Sequence, residues 1–244
     1  MLRRYLAVSS ALALVLLSST TASAHGAWVA ERWGELGVIY GHGAGDDAYD
    51  PAKITRATAI GEDGETADLA IEARTGHAIL KPEGEPAAIL IEMDNGYWTE
   101  GADGTWVNKP KDEVPGAVSA GHYIKNSISL IHPHDGLPAF PQQALQIVPL
   151  DNPVGRKAGD PIRLRVLHEG KPLSGVAVTL DYVNRAALKS AETDADGEVV
   201  VDIRNDGLNV LAVDHAVPLE GDPKADKIGY TATLSFVAES HSHD

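Results

Sequence analysis

The 244-residue sequence contains no cysteine and few aromatic or sulfur-containing residues. Without cysteine the chain cannot form disulfides, thiolate metal sites or a lipoprotein anchor. Only two phenylalanines and two methionines are present, although 43% of the residues are hydrophobic. A core of globular size is therefore available, and it has to be built from valine, isoleucine, leucine and alanine.

Positive charge is also scarce. Lysine and arginine number 20 against 35 aspartates and glutamates, which gives a formal net charge of −15 with neutral histidines. Such an acidic chain repels nucleic acid and anionic lipid, so neither is an expected partner. The same excess of carboxylates favours solubility and attracts small cations.

The most apolar stretch, from Tyr5 to Leu17, is too short for a good membrane span. Arg3 and Arg4 precede it, and Ala22-Ser23-Ala24 supplies the small residues that signal peptidase recognises. These features predict a signal peptide at residues 1–24, secretion into a bacterial periplasm, and a mature chain with no membrane anchor. The leader contains two arginines and no acidic residue, so the mature chain has 18 basic against 35 acidic residues, a net charge of −17.

Cleavage after Ala24 makes His25 the first residue of the mature protein, and His25 is the leading functional candidate. Its free α-amine and its imidazole can hold one metal ion together in a small chelate ring. The α-amine loses its proton more easily than a lysine does, so it is available as a ligand near neutral pH. The alternative is that His25 follows the cut by chance.

β-strand patterns dominate the mature sequence, and no segment has the pattern of a long amphipathic helix. Short β-prone runs lie between glycine, proline and Asp-Asn-Gly signals, and beyond residue 160 apolar residues alternate with other residues. The main runs are Gly37 to Tyr40, Ala88 to Met93, Tyr123 to Ile131, Ile162 to Leu167, Val176 to Leu180, Val199 to Ile203, Leu208 to Val213 and Tyr230 to Phe236. Their spacing predicts an all-β fold of two antiparallel, immunoglobulin-like β-sandwich domains in tandem.

Prolines near residue 150 mark the expected boundary between the two sandwiches. Pro149 and Pro153 end the strand pattern there. We therefore predict an N-terminal metal-binding sandwich at residues 25–148. A C-terminal sandwich follows at residues 149–238, immunoglobulin-like or similar to carboxypeptidase regulatory domains, and residues 239–244 form a histidine-containing tail.

Ten histidines are present, and two besides His25 lie where a loop leaves a predicted strand. His42 follows one strand in a glycine-rich loop, and His215 ends another. Loops held by a rigid sheet can bring distant ligands together, so we predict a metal site formed by His25, His42 and His215. Any single histidine is more often a surface or hydrogen-bonded residue than a ligand. We therefore expect the remaining histidines to be surface or hydrogen-bonded residues. His241 and His243 in the tail would form an accessory metal site at most.

Asp94-Asn95-Gly96 has the sequence of a hairpin turn that follows an apolar run. Tyr97 and Trp98 would then flank the turn, either as a cover over one end of the sandwich or as an aromatic wall of a ligand site. Lys125, like the lysines at positions 109 and 111, is expected to be a solvated positive charge.

Together with the closing segments Gly207-Leu208-Asn209-Val210 and Thr231-Ala232-Thr233-Leu234-Ser235-Phe236, four groups of short motifs extend over nearly the whole mature chain. They are His25-Gly26-Ala27-Trp28, then Tyr40-Gly41-His42-Gly43 with Ala48-Tyr49-Asp50-Pro51-Ala52-Lys53, then Asp94-Asn95-Gly96-Tyr97-Trp98 with Trp106-Val107-Asn108-Lys109-Pro110-Lys111, and Gln146 to Asn152 with Gly170-Lys171-Pro172-Leu173. Together they resemble a periplasmic family, defined by a domain of unknown function, that is associated with nickel and cobalt uptake. The resemblance implies a secreted two-domain β protein near metal transport systems. In such a protein the N-terminal histidine and a few later histidines would hold Ni²⁺ or Co²⁺.

Catalytic motifs are not found in the sequence, which lacks a nucleophile elbow, a phosphate-binding glycine loop and a His-Glu-x-x-His pair. The predicted function is therefore a non-enzymatic periplasmic metal-binding protein. It would capture nickel or cobalt or deliver it to a membrane uptake transporter, with copper and zinc as alternative ions.

Two other classes remain open at this point. One is an N-terminal-histidine copper-binding protein or copper mono-oxygenase, which would use His25 and a second histidine on a β-sandwich. The other is a structural or adhesive β-sandwich module, which would bind no metal.

Overall fold

The computed structural model describes residues 25–132 and 140–239. The predicted signal peptide, His134, and the tail histidines His241 and His243 lie outside the described residues. Within the described ranges the only helices are two short 3-10 turns, Pro51–Lys53 and Lys111–Glu113. No helix in these ranges is long and apolar enough to cross a membrane. Strands make up most of the regular structure, so the all-β prediction is confirmed.

Seventeen strands are present in the described residues. The first ten are β1 (Gly26–Arg32), β2 (Glu35–Gly41), β3 (Ile54–Ile60), β4 (Thr66–Asp68), β5 (Ala70–Arg74), β6 (His77–Lys81), β7 (Ala88–Glu100), β8 (Trp106–Val107), β9 (Ser119–Leu130) and β10 (Leu145–Pro149). The last seven are β11 (Pro161–His168), β12 (Lys171–Pro172), β13 (Ala177–Thr179), β14 (Lys189–Glu192), β15 (Glu198–Asp202), β16 (Leu208–Pro218) and β17 (Lys227–Val237).

The strands build three sheets. One has the order β1-β2-β6-β5, and a second joins β11 to β10, β12 and β15. The large sheet has nine strands in the order β14-β13-β16-β17-β9-β7-β3-β4, with β8 paired to β7. Among the described strands the pairings are antiparallel apart from β9 and β17, which are parallel neighbours.

The large sheet contains strands from both halves of the chain. Strands β3, β4, β7, β8 and β9 precede residue 148, whereas β13, β14, β16 and β17 follow it, and the β9–β17 pair joins the two groups. The predicted boundary after residue 148 falls inside β10, which pairs with β11. The sequence did not indicate that the halves share a sheet. The division into residues 25–148 and 149–238 stays a prediction.

Both faces of the large sheet are covered, so the molecule has three layers. One face packs against β10, β11 and β15 through an apolar cluster that includes Leu90, Ile128 and Leu234. The opposite face carries Ile89 and Ile91, which pack against β1, β2 and β6. Because neighbours along a strand point to opposite faces, burial on both sides explains the continuous apolar run of β7.

Serine and threonine hydroxyls attach β1 to the large sheet. β1 is an edge strand, so half of its backbone groups face away from β2. Ser129 Oγ accepts from the Val29 N–H at 3.0 Å, while Thr233 Oγ1 and Ser235 Oγ donate to the carbonyls of Ala27 and Val29 at 2.5 and 3.4 Å. We call Ser129, Thr233 and Ser235 the hydroxyl seam. Its side chains take the place of a neighbouring strand.

The hairpin predicted at Asp94-Asn95-Gly96 is wrong. β7 continues through this segment to Glu100, and its register with β9 shifts between Asp94 and Gly96. Gly96 has a φ of 80°, and its N–H donates to Asp94 Oδ1 at 2.8 Å. A left-handed glycine serves a β-bulge as well as a turn, and β9 is long enough to pair with β7 on both sides of this bulge.

Ser129→Ala should lower the free energy of unfolding by about 1–3 kcal/mol, because the buried Val29 N–H loses its acceptor. Urea denaturation measures the change. Thr55→Ala is the matched control, since Thr55 is exposed and donates to the Glu92 carbonyl at the surface. We expect the control to change stability by less than about 0.5 kcal/mol. Equal losses in the two variants would contradict the role given to the hydroxyl seam.

Candidate functional site

A cavity of about 650 Å³ is lined by residues of β2, β7, β8 and β9 and by the loop that precedes the first 3-10 turn. Its walls combine aromatic rings with two lysines and His25. The aromatic residues are Tyr40, Tyr49, Trp98, Trp106 and Tyr123. All but one of them belong to the motifs that carry the family resemblance, so the fold gathers segments that are distant in sequence around one space.

His25 lies at one side of this cavity with its ring held in place. Its Nε2 is 2.9 Å from the Asp47 carboxylate, and its imidazole stacks on Tyr40 with ring centroids 5.0 Å apart. A carboxylate only accepts hydrogen bonds, so the Nε2–H of His25 donates to Asp47, which leaves Nδ1 for another partner. Sequence analysis gave no signal for Asp47, which stands in an exposed acidic loop.

Lys53 ties three cavity-lining segments together. Its ammonium donates to the backbone and side-chain oxygens of Asn95 at 3.2 and 3.0 Å and to Asn108 Oδ1 at 3.3 Å. It also lies over the Trp98 ring, 5.7 Å from the centroid. Burial lowers the pKa of Lys53, although the carboxylates of Asp50 and Asp94 oppose the shift. All three donors of the ammonium are therefore used within the protein.

Lys125 is the second lysine of the cavity, and the prediction that it is a solvated charge is wrong. Its side chain is only 1% exposed. The ammonium donates to Thr231 Oγ1 at 3.1 Å, and Thr231 in turn donates to Asp214 at 2.8 Å. Lys125 Nζ also lies 5.5 Å from the centroid of Tyr123. Burial lowers the pKa of Lys125 to about 8, and the Asp214 carboxylate opposes part of this shift.

The tyrosines of the cavity are neutral phenols near neutral pH. Burial raises the pKa of Tyr49 to about 12 and also raises the pKa of Tyr40. The Tyr49 hydroxyl donates to the Val38 carbonyl at 2.9 Å and accepts from the Ala78 N–H at 3.0 Å, so it braces β2 against β6. Tyr49 therefore contributes an aromatic wall, and its hydroxyl serves the fold.

His42 does not join His25 in this cavity. The pairing of Gly26 with Gly41 places the two histidines at neighbouring positions just beyond the strands. The chain bends at His42, however, and its ring packs edge-on against Tyr182 with centroids 5.5 Å apart. Tyr182 belongs to a different apolar cluster from Tyr40, the residue on which His25 stacks.

His215 lies on the opposite face of the large sheet from the cavity. Asp214 is aligned with Thr231 and Lys125 across the sheet, so the next residue on β16 points the other way. There the His215 ring contacts His168, with centroids 4.7 Å apart. Burial and the neighbouring His168 lower the pKa of His215.

The structure therefore does not gather His25, His42 and His215. Within residues 25–132 and 140–239 no group of three or more histidine, aspartate or glutamate side chains is arranged to hold a metal ion. His122, which we expected to be a surface or hydrogen-bonded residue, lies 2.7 Å from Asp94 Oδ1. Binding of a metal by the predicted histidines stays a prediction.

A family model described as a domain of unknown function, DUF4198, matches residues 14–217. The chain belongs to the DUF4198 family. It is also similar to an uncharacterised protein of Haemophilus influenzae, with 28% identity over 165 residues, which are 67% of this chain and 70% of that protein. No solved structure matches this DUF4198 chain.

The resemblance to a domain of unknown function is thus confirmed. Neither the description of the DUF4198 family nor the name of the relative mentions a metal, a transporter or a compartment. The association with nickel and cobalt uptake therefore stays a proposal.

Lys125→Met should raise the free energy of unfolding at pH 7 by roughly 1–3 kcal/mol, because it removes a buried charge while keeping similar side-chain volume. Lys53→Met should lower the free energy of unfolding, because it removes the ammonium that donates to the side-chain oxygens of Asn95 and Asn108. Urea denaturation of the two variants distinguishes the signs. A larger loss for Lys125→Met than for Lys53→Met would show that Lys125 is needed to hold the sheet together.

The pH dependence of stability gives a second test of Lys125. Its pKa is about 8 in the folded protein against 10.5 for a free lysine, so between these values the unfolded chain binds more protons. Stability should therefore rise as pH increases from about 8 towards 10.5, and Lys125→Met should lack this rise. The comparison of the two proteins removes contributions from other groups, and parallel curves would contradict a lowered pKa.

The lowered pKa of His215 predicts how stability changes below neutral pH. Its pKa is lower in the folded protein than in the unfolded chain, so protonation favours unfolding. Stability should fall as pH decreases through the ordinary histidine range, and His215→Gln should weaken that fall. His77→Gln is the control because His77 is an exposed strand residue. The same pH profile for both variants would contradict a lowered pKa of His215.

Proposed function

We propose that this DUF4198 protein binds a divalent transition metal in the periplasm, with nickel or cobalt favoured, and passes it to a membrane uptake transporter. The observation that supports the proposal is the position of His25, at the side of an aromatic cavity with Nε2 bonded to Asp47. The proposal assigns no catalytic step to the protein.

The donor atoms at His25 fit such an ion. If the chain is cut after Ala24, the α-amine of His25 becomes a ligand and can form a chelate ring with Nδ1. A metal-bound histidine usually gives its other N–H to a carboxylate, which orients the ring and makes the ligand nitrogen more basic. The hydrogen bond from His25 Nε2 to Asp47 has this arrangement. Amine and imidazole nitrogens suit nickel, cobalt, copper and zinc alike.

The surroundings of His25 favour metal capture over the two alternatives, a copper mono-oxygenase and a structural or adhesive module. The net charge of −17 in the predicted mature chain attracts cations. A copper mono-oxygenase of the kind considered would need a second histidine beside the first, and His42 and His215 contact Tyr182 and His168 instead. A structural or adhesive module has no use for an open cavity with charged groups in its wall.

Metal titration of the protein that begins at His25 tests the proposal. Calorimetry with Ni²⁺, Co²⁺, Cu²⁺ and Zn²⁺ should show one site, and binding should weaken as pH falls because both nitrogens must be deprotonated. A single residue added before His25 turns its amine into an amide and should weaken binding at least about tenfold. Equal affinity of the native and extended proteins would place the metal elsewhere and overturn the proposal.

Asp47→Asn should weaken metal binding by about 10- to 100-fold, since it removes the carboxylate that orients the His25 ring. Asp46→Asn is the matched control. Asp46 is the preceding residue of the same loop and bonds Arg32 instead of His25. His42→Ala and His215→Ala separate two expectations, because sequence analysis predicts a loss of affinity in both and the geometry predicts little change.

A further inference from the structure

The ammonium of Lys125 is the one positive group of the cavity whose donors are not all used by the described residues. It makes a single hydrogen bond, to Thr231 Oγ1. An ammonium has three donors, so two are left for a partner. Lys53 differs, because Asn95 and Asn108 occupy its donors. The cavity thus holds a buried cation with spare hydrogen-bonding capacity.

The fold gives Lys125 no direct carboxylate partner. Asp214 is reached only through the Thr231 hydroxyl, which accepts from Lys125 and donates to Asp214. Lys125 is 1% exposed, and burying its charge without an anion beside it destabilises the fold. An apolar residue of similar volume at this position would give a more stable protein. A charge retained at such a position is accounted for by a negatively charged group that enters the cavity.

The walls indicate the rest of the ligand. Tyr123, Trp98 and Trp106 present aromatic surfaces to the cavity, which suit an organic body better than a hydrated ion. The volume of about 650 Å³ lies in the range of small-molecule sites and far exceeds the space of one metal ion. His25 lines the same cavity and, with its amine, offers a metal only two nitrogens, which leaves coordination positions open.

We propose that the cavity binds a small organic carboxylate whose negative end contacts Lys125, and that it does so as the chelator of the metal held at His25. The second half of this inference rests on the proposed function; the first half does not. Carboxylate oxygens of the chelator would fill the coordination positions that His25 leaves open. The substrate is then a metal–carboxylate complex, and the bare ion is only part of it.

Calorimetry with four probes tests the proposal on the protein that begins at His25. The probes are Ni²⁺ alone, citrate alone, malonate alone, and preformed Ni²⁺–citrate. Wild-type protein should bind Ni²⁺–citrate more tightly than either component. Lys125→Met should weaken binding of Ni²⁺–citrate about tenfold or more, the effect expected for a lost hydrogen bond to a charged group, and should leave binding of Ni²⁺ alone within about twofold.

Lys81→Met is the matched control, since Lys81 pairs with Glu35 at the surface and does not line the cavity. The outcomes separate the two proposals. If Ni²⁺ alone binds but no carboxylate probe does, or if Lys125→Met binds Ni²⁺–citrate like wild type, the carboxylate site is overturned and metal binding stands. If citrate or malonate binds through Lys125 while Ni²⁺ alone does not bind, the metal function fails and the site is one for a free organic acid.

Discussion

The attachment of β1 to the large sheet through side-chain hydroxyls determines where the cavity can form. Ser129 on β9 and Thr233 on β17 hold the edge of β1 that does not pair with β2, and both belong to a polar row on the face of the large sheet that also carries Ile89 and Ile91. β1 starts at Gly26, close to the Thr233 side chain, so the cover over this face ends there. The next pair in register is Lys125 with Thr231, at the border of the cavity. One polar row therefore serves two purposes, structural where β1 covers it and open to a ligand where β1 ends.

The two cavity lysines show how differently a buried ammonium can be used. Lys53 joins Asn95 and Asn108, so its charge organises the β7 bulge and the segment beside β8. Lys125 makes one hydrogen bond and reaches the Asp214 carboxylate only through a hydroxyl. Fully satisfied polar networks make a fold specific, whereas partly satisfied ones reduce stability. The difference separates a lysine that maintains the site from one that is available to a ligand.

The eight main runs predicted from the sequence fall on eight of the seventeen described strands, and the errors have a common physical cause. The pattern from Ile162 to Leu167 predicted β11 because only one face of that strand is buried in a core. Lys125 was expected to be a solvated charge, but it belongs to a polar row on β9, with Ser127 and Ser129, that is buried. The convergence of Tyr40, Trp98 and His25 depends on the register of the strands and on the bulge in β7. Neither could be predicted from the pattern of residues in the sequence. His215 was expected at the end of a strand, but β16 continues to Pro218, so His215 lies within the strand with its ring against His168.

The parallel pairing of β9 with β17 also governs how the chain can fold. Residues 121–129 of β9 meet residues 227–235 of β17, more than 100 positions later in the chain. Non-local pairs of this kind form slowly, because the chain must lose the entropy of closing a long loop before the two strands make stabilising contacts. Until β17 is available, one edge of β9 has unpaired backbone groups. The incomplete chain is therefore prone to aggregation at this edge, and its last strand completes the fold.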